Sequence, residues 1–296
     1  MAKYIPFVII FLISRIPLFS QSEKVLFIGN SLTYFNDMPE MFEQICKEYD
    51  LELEVESSCF SGVNLMTHTN TFWYKNKGFN VYNPPTNSVL SKKYKVDTCK
   101  AVLPTTIDKI ITDNYRYIFL QEQPNYIFNS ELRNVYTKPS IKIIDSLTQK
   151  NQAELFLAQT YTGKKAEQLC LAMTKCEAGE CDKLFYCSHD FKSFEEMTDT
   201  IVNIYKEITI DLGIKTIPIA EVFEHFRKQQ PRIKLYKQGN HPTKQASFIM
   251  ACTHFYSITG KKDYTEMVKK PFRKHFDLIS DELLIFFNEY DLNNQE

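Results

Sequence analysis

A serine, a histidine, a glycine and two glutamines stand where this chain could do chemistry. Ser31 follows the apolar run Val25-Leu26-Phe27-Ile28-Gly29, with only Asn30 between them. Gly62 lies in Ser58-Cys59-Phe60-Ser61-Gly62-Val63-Asn64-Leu65, and Gln121 and Gln123 close Tyr117-Ile118-Phe119-Leu120-Gln121-Glu122-Gln123. His241 falls in Tyr236-Lys237-Gln238-Gly239-Asn240-His241-Pro242-Thr243. A hydroxyl, an imidazole to take its proton, a glycine that allows close approach and side-chain amides are the parts for acyl transfer through a serine. Each also has a plainer reading. Gly-x-Ser recurs at ordinary strand-to-helix turns, Gly62 serves a turn, Gln123 caps the helix near residue 131, and His241 is a capping-loop histidine. Glu122 and Asn240 read as solvent-facing groups or as supports behind the site.

These residues matter only if the elements bring them together. Short apolar runs at 24–29, 117–120, 155–158 and 214–219, each bounded by Gly, Gln or Pro, and the alternation of Leu51, Leu53 and Val55 over 51–57 read as strands. Between them, apolar residues at helical spacing predict helices over 38–49, 104–114, 131–150 (interrupted before Pro139), 194–212, 220–227 and 243–259, with a helical tail over about 264–291. Asp37-Met38-Pro39-Glu40 reads as an N-cap, a first-turn proline and a capping-box glutamate. Strands separated by helices, never by two-residue turns, imply parallel pairing with right-handed crossovers, hence a three-layer α/β/α domain. In such a sheet, chemistry gathers outside the carboxyl ends of the strands, where Ser31, Gly62, Gln121 and Gln123 would lie. Residues 66–100 and 163–190 lack a clear period and read as two insertions on that rim, the first rich in aromatic residues.

Composition narrows the function classes. The 35 basic and 36 acidic residues balance, and no basic run tracks a phosphate backbone, so nucleic acid is not an expected partner. Lys3, the apolar stretch Ile5–Ile13 and Leu18-Phe19-Ser20 read as a secretory signal over about 1–21, leaving 22–296 as a single domain. The stretch is short and broken by Arg15, so a stable membrane span is not expected after cleavage, although a retained N-terminal anchor is the alternative. The expected location is secreted or periplasmic. In an oxidising compartment the eight cysteines favour disulfides. Cys170, Cys176, Cys181 and Cys187 are symmetric about Glu177-Ala178-Gly179-Glu180, which favours a nested hairpin, Cys176–Cys181 inside Cys170–Cys187. Cys59 and Cys99 could close the first insertion, and Cys46 and Cys252 read as buried thiols. A zinc site on the cysteine cluster with His189 is a weaker rival, because no Cys-x-x-Cys pair is present. Of the remaining histidines, His225, His254 and His275 fit surface or helix positions, while His68 and His189 lie in the rim insertions.

Taken in order, Gly29-Asn30-Ser31-Leu32, Gly62 with Leu65, Leu120-Gln121-Glu122-Gln123 and His241-Pro242-Thr243 resemble the blocks of the SGNH (GDSL-like) hydrolase superfamily, spread over residues 24–260. The resemblance implies a five-stranded, flavodoxin-like parallel sheet and a serine esterase acting on short acyl esters, often acetyl groups on carbohydrate. It implies Ser31 as nucleophile, His241 as general base, and an oxyanion hole from the N–H groups of Ser31 and Gly62 with the side-chain amide of Gln123. No metal or organic cofactor is implied. Two positions depart from the pattern. Gln123 replaces an asparagine, and Gln238 stands where the terminal Asp-x-x-His block carries its aspartate. An amide carbonyl can orient an imidazole but cannot stabilise the imidazolium by charge. Gln238 therefore motivates a rival: a carbohydrate-binding or scaffold protein that keeps the fold without turnover.

Overall fold

The computed structural model describes residues 23–70, 105–161, 163, 165–177, 180–237, 240–265, 267 and 275–293, with backbone alone for 174–177, 180–182 and 292–293. The signal reading over 1–21, most of the first insertion, Cys99 and Gln238 lie outside the described residues.

Strands β1 (Glu23–Gly29), β2 (Leu53–Cys59), β3 (Tyr115–Gln121), β4 (Glu154–Ala158) and β7 (Lys215–Ile217) form one sheet in the order β2-β1-β3-β4-β7. Every pairing is parallel, as the alternation of strands and helices requires. The inner strands β1, β3 and β4 are buried on both faces over most of their length, which is why they read as continuous apolar runs, whereas the edge strand β2 alternates. Val25 and Phe27 point to one side, into a core with the helices Met38–Glu48, Ile219–Gln229, Lys244–Thr259 and Phe276–Asn293. Leu26 and Ile28 point to the other, against Thr106–Thr112, Lys138–Thr148 and Phe194–Leu212. Phe27 sits in an aromatic cluster with Phe42, Phe119 and the buried His254. His254 is thus a core residue, not a surface one. Its Nδ1 bonds the Met250 carbonyl one turn back, and burial pushes its pKa down to about 4.

The second insertion is a hairpin, β5 (Cys170–Glu177) and β6 (Glu180–Cys187), whose antiparallel register sets Cys170 opposite Cys187 and Cys176 opposite Cys181. The outer pair forms a disulfide across a Cα–Cα distance of 4.0 Å. The side chains of the inner pair lie outside the described residues. Cys59 does not bridge: it is a free, buried thiol donating weakly to the Phe27 carbonyl at 3.6 Å, and burial lifts its pKa to about 12.

Three local features correct or sharpen the sequence expectations. Asp37 precedes the Met38–Glu48 helix but caps it without its side chain, because its backbone is left-handed at φ 59°. Ser31, one residue past β1, begins a one-turn helix, Ser31–Tyr34. The interruption before Pro139 is a π-helical turn, Arg133–Thr137, leading into Lys138–Thr148. Proline brings no N–H to the ladder, so the turn before it widens. Among the described residues, no helix is long and apolar enough to cross a membrane.

Candidate active site

β1 lies between β2 and β3, where the strand order reverses, so the crevice for a ligand opens at its carboxyl end. Asn30 turns the chain there. Its Oδ1 accepts from the Leu32 N–H at 3.0 Å and its Nδ2 donates to the Val63 carbonyl at 3.2 Å. Thr33 Oγ1 donates to Gln121 Oε1 at 3.1 Å, tying the serine-bearing turn to the end of β3. Gly29 is required by space. A Cβ there would lie 2.5 Å from Thr33 Oγ1 and 3.2 Å from the Gln121 Cβ. Beneath it, His68 Nε2 reaches the Gly29 carbonyl at 2.9 Å, and its Nδ1 meets Thr106 Oγ1 at 2.9 Å, which in turn contacts Ser58 Oγ at 2.6 Å. Because a carbonyl only accepts, the network assigns the proton to Nε2. Burial pushes the His68 pKa down to about 4, so the ring is neutral. His68 is therefore a buried prop under β1 rather than a rim histidine reaching the crevice.

His241 comes from the other end of the chain and meets Ser31: Nε2 lies 3.0 Å from Ser31 Oγ. Its loop is held by backbone. Lys237 N–H donates to the His241 carbonyl at 2.9 Å, Thr243 N–H to the Leu235 carbonyl at 2.9 Å, and Tyr236 pairs with Pro242. Asn36 Nδ2 donates to the Pro242 carbonyl at 3.0 Å. Phe35 stacks on the imidazole with ring centroids 4.3 Å apart. Asn240 packs its side chain against Gly163, where a Cβ would approach within 2.4 Å of Asn240 Oδ1. The cap of the following helix is Thr243, which accepts from the Ala246 N–H, so His241 is not a capping residue. Among the described residues no side chain bonds His241 Nδ1.

Gly62 lies in the loop after β2 with φ +68°, a conformation that favours glycine. Its Cβ position is open, so the turn, not space, selects it. Gln123 starts the helix Pro124–Phe128 without capping it, and Asn129 caps the turn near residue 131. The Gln123 side chain bonds no described residue. Likewise the N–H of Ser31, first in its turn, has no acceptor among the described residues. His189 pairs with Glu196 on the surface at 2.8 Å.

Of the two readings open for Glu122, solvent-facing group or support, the structure shows the support, and Gln121 joins it behind the crevice. Glu122 is fully buried, and its carboxylate accepts from the Leu65 N–H, the Gln123 N–H and Thr137 Oγ1. Gln121 donates from Nε2 to the Glu122 carbonyl while its Oε1 receives Thr33. Only their place at a strand end signalled them. A polar Gln-Glu-Gln run looks exposed until packing buries it.

No family model matches the sequence, and no curated protein is similar to it. Solved structures are similar in fold. A DUF4886 family protein from Bacteroides uniformis superimposes with a TM-score of 0.61 at 16% identity, covering 93% of this chain and 97% of that one. A protein from Slackia heliotrinireducens, proposed to be an SGNH hydrolase, gives 0.51 at 17% identity, covering 80% of this chain and all of its own. Likeness at these identities is likeness of fold, and the fold of this chain is that of the SGNH hydrolases.

Proposed function

We propose that the chain is a serine esterase for short acyl esters. The observation that carries this reading is the 3.0 Å approach of Ser31 Oγ and His241 Nε2 across 210 residues of sequence. For His241 to act as base, its proton sits on Nδ1 and Nε2 accepts from the serine hydroxyl. Ser31 Oγ then attacks the acyl carbon and gives its proton to Nε2. The N–H groups of Ser31 and Gly62 and the amide of Gln123 receive the oxyanion. Collapse expels the alcohol, which takes the proton from His241, and water repeats the sequence to release the acid. Gln238 orients the Nδ1–H in this reading, with no charge to stabilise the imidazolium.

The substrate we favour is an acetyl or similarly short acyl ester on a carbohydrate, the class that the sequence resemblance implies. Export with removal of about residues 1–21 belongs to the same reading, and the Cys170–Cys187 bridge supports an oxidising compartment. The test is hydrolysis of p-nitrophenyl acetate with labelling by a fluorophosphonate. Ser31→Ala is expected to lower kcat/KM by at least about 10³-fold and to abolish the label. A folded wild type that neither turns over nor labels would replace this reading with the carbohydrate-binding one that Gln238 motivates.

A further inference from the structure

The residues we assign to chemistry are partly exposed, while each has a buried neighbour that is tethered. Gly62 is on the surface, yet Val63 and Asn64 behind it are buried. Two bonds clamp this loop from opposite sides. Asn30, next to Ser31, donates to the Val63 carbonyl, and Glu122, next to Gln123, receives the Leu65 N–H at 3.3 Å on both carboxylate oxygens. The same carboxylate takes the Gln123 N–H at 2.7 Å and Thr137 Oγ1 at 3.0 Å, the latter presented by the π-helical turn. Among the described residues no cation pairs with Glu122, so nothing but these donors offsets its burial. We propose that Glu122 is a positioning residue whose ionised carboxylate sets the distance between the Gly62 loop and Gln123, and so the width of the oxyanion hole.

This inference rests on the esterase reading for its catalytic consequence but not for its physical content. An ionised carboxylate only accepts, and it can satisfy all three donors at once. On protonation the remaining carbonyl oxygen must take both N–H groups while the acid O–H turns donor to Thr137 Oγ1, so the charge-assisted bonds weaken and the clamp loosens. Burial raises the Glu122 pKa to about 7, against the pull of the Gln123, Thr137 and Leu65 donors. Tyr126 and Tyr205 are held above the ordinary phenol value by burial, and His68 is neutral down to about 4. Tyr136 lies edge-on to Tyr126, and Arg133 turns its guanidinium to the Ile127 carbonyl. Folding and chemistry then pull in opposite directions. The folded state holds the Glu122 proton more tightly than the unfolded chain, so lowering pH from about 7 towards 4.5 favours the fold while it slackens the clamp.

The experiment compares wild type, Glu122→Gln and Thr137→Val. Glu122→Gln keeps size and can still accept two N–H bonds while donating to Thr137, so it folds but cannot ionise. We expect about a tenfold loss in kcat with KM within about threefold. The acid limb of log kcat against pH, steeper than one proton in wild type, should fall to one. Thr137→Val removes one donor and should cost about threefold in kcat while leaving the limb steep. Unchanged kcat and limb in Glu122→Gln would overturn the proposal. In ¹⁵N-labelled protein, the Leu65 and Gln123 amides should titrate together near neutral pH in wild type and not in Glu122→Gln. That readout needs no activity. A wild type lacking turnover sinks the esterase reading alone, whereas amides that do not titrate sink the clamp.

Discussion

On the serine side of the crevice, side chains do the holding. Asn30, Thr33, Gln121, His68 and Glu122 are all buried and all hydrogen-bonded, and they lock β1, β3 and the Gly62 loop to one another. On the histidine side, among the described residues, the backbone carries more of it: two main-chain bonds and one strand-like bridge, joined by an amide from Asn36, the Thr243 hydroxyl donating to the Lys234 carbonyl at 2.6 Å and the Phe35 ring. Buried polar networks in a low-dielectric interior fix geometry because leaving any member unpaired is costly. A surface loop held by backbone and one stacked ring tolerates substitution and adjustment. Ser31 and the proposed oxyanion donors are therefore expected to be rigid, and His241, the proposed base, to be the adjustable partner.

Substitutions on the two sides should fail differently. Gly29→Ala attacks the rigid side. The new methyl meets Thr33 Oγ1 and Gln121 at contact distances no relaxed packing allows, so stability should drop by about 1–3 kcal/mol in urea titration and esterase activity should fall with it. Retained stability and rate would show that the rigid side gives as readily as the other. Gln238→Asp probes the adjustable side in the favourable direction. Supplying the missing charge should raise kcat about tenfold or more in stopped or continuous p-nitrophenyl acetate assays, with thermal stability little changed. No gain would mean that another group already serves the imidazolium. Phe35→Ala removes the ring under His241 and should cost about 0.5–1.5 kcal/mol of transition-state stabilisation, read as a severalfold fall in kcat with KM nearly constant. A loss as large as that of Gly29→Ala would erase the contrast between the two sides.

What could be read before folding follows the same division. The five strands, their parallel pairing and the convergence of Ser31 with His241 were legible, because apolar runs and ordered short motifs are properties of the chain itself. So was the outer cysteine pair of the hairpin. The supports were not. His68 looked like one more polar residue in an insertion, and it becomes a prop only because the Leu65–Thr69 helix turns it under Gly29. Glu122 sits in a run that any composition rule places in solvent. Thr137 reaches it through a π turn that no propensity scale describes. Asp37 carries the right side chain for a cap, but its backbone adopts the left-handed region and leaves the cap unused. Burial of polar groups is decided by tertiary packing, and a single sequence encodes it only weakly.

The pairing of Ser31 with His241 spans 210 of the 296 residues, and it has a temporal consequence. In the proposed esterase the hydroxyl is made early and its proton acceptor only in the last fifth of the chain, so a nascent or truncated product ending before residue 241 should show no turnover. Appearance of esterase activity should then time the docking of the final quarter.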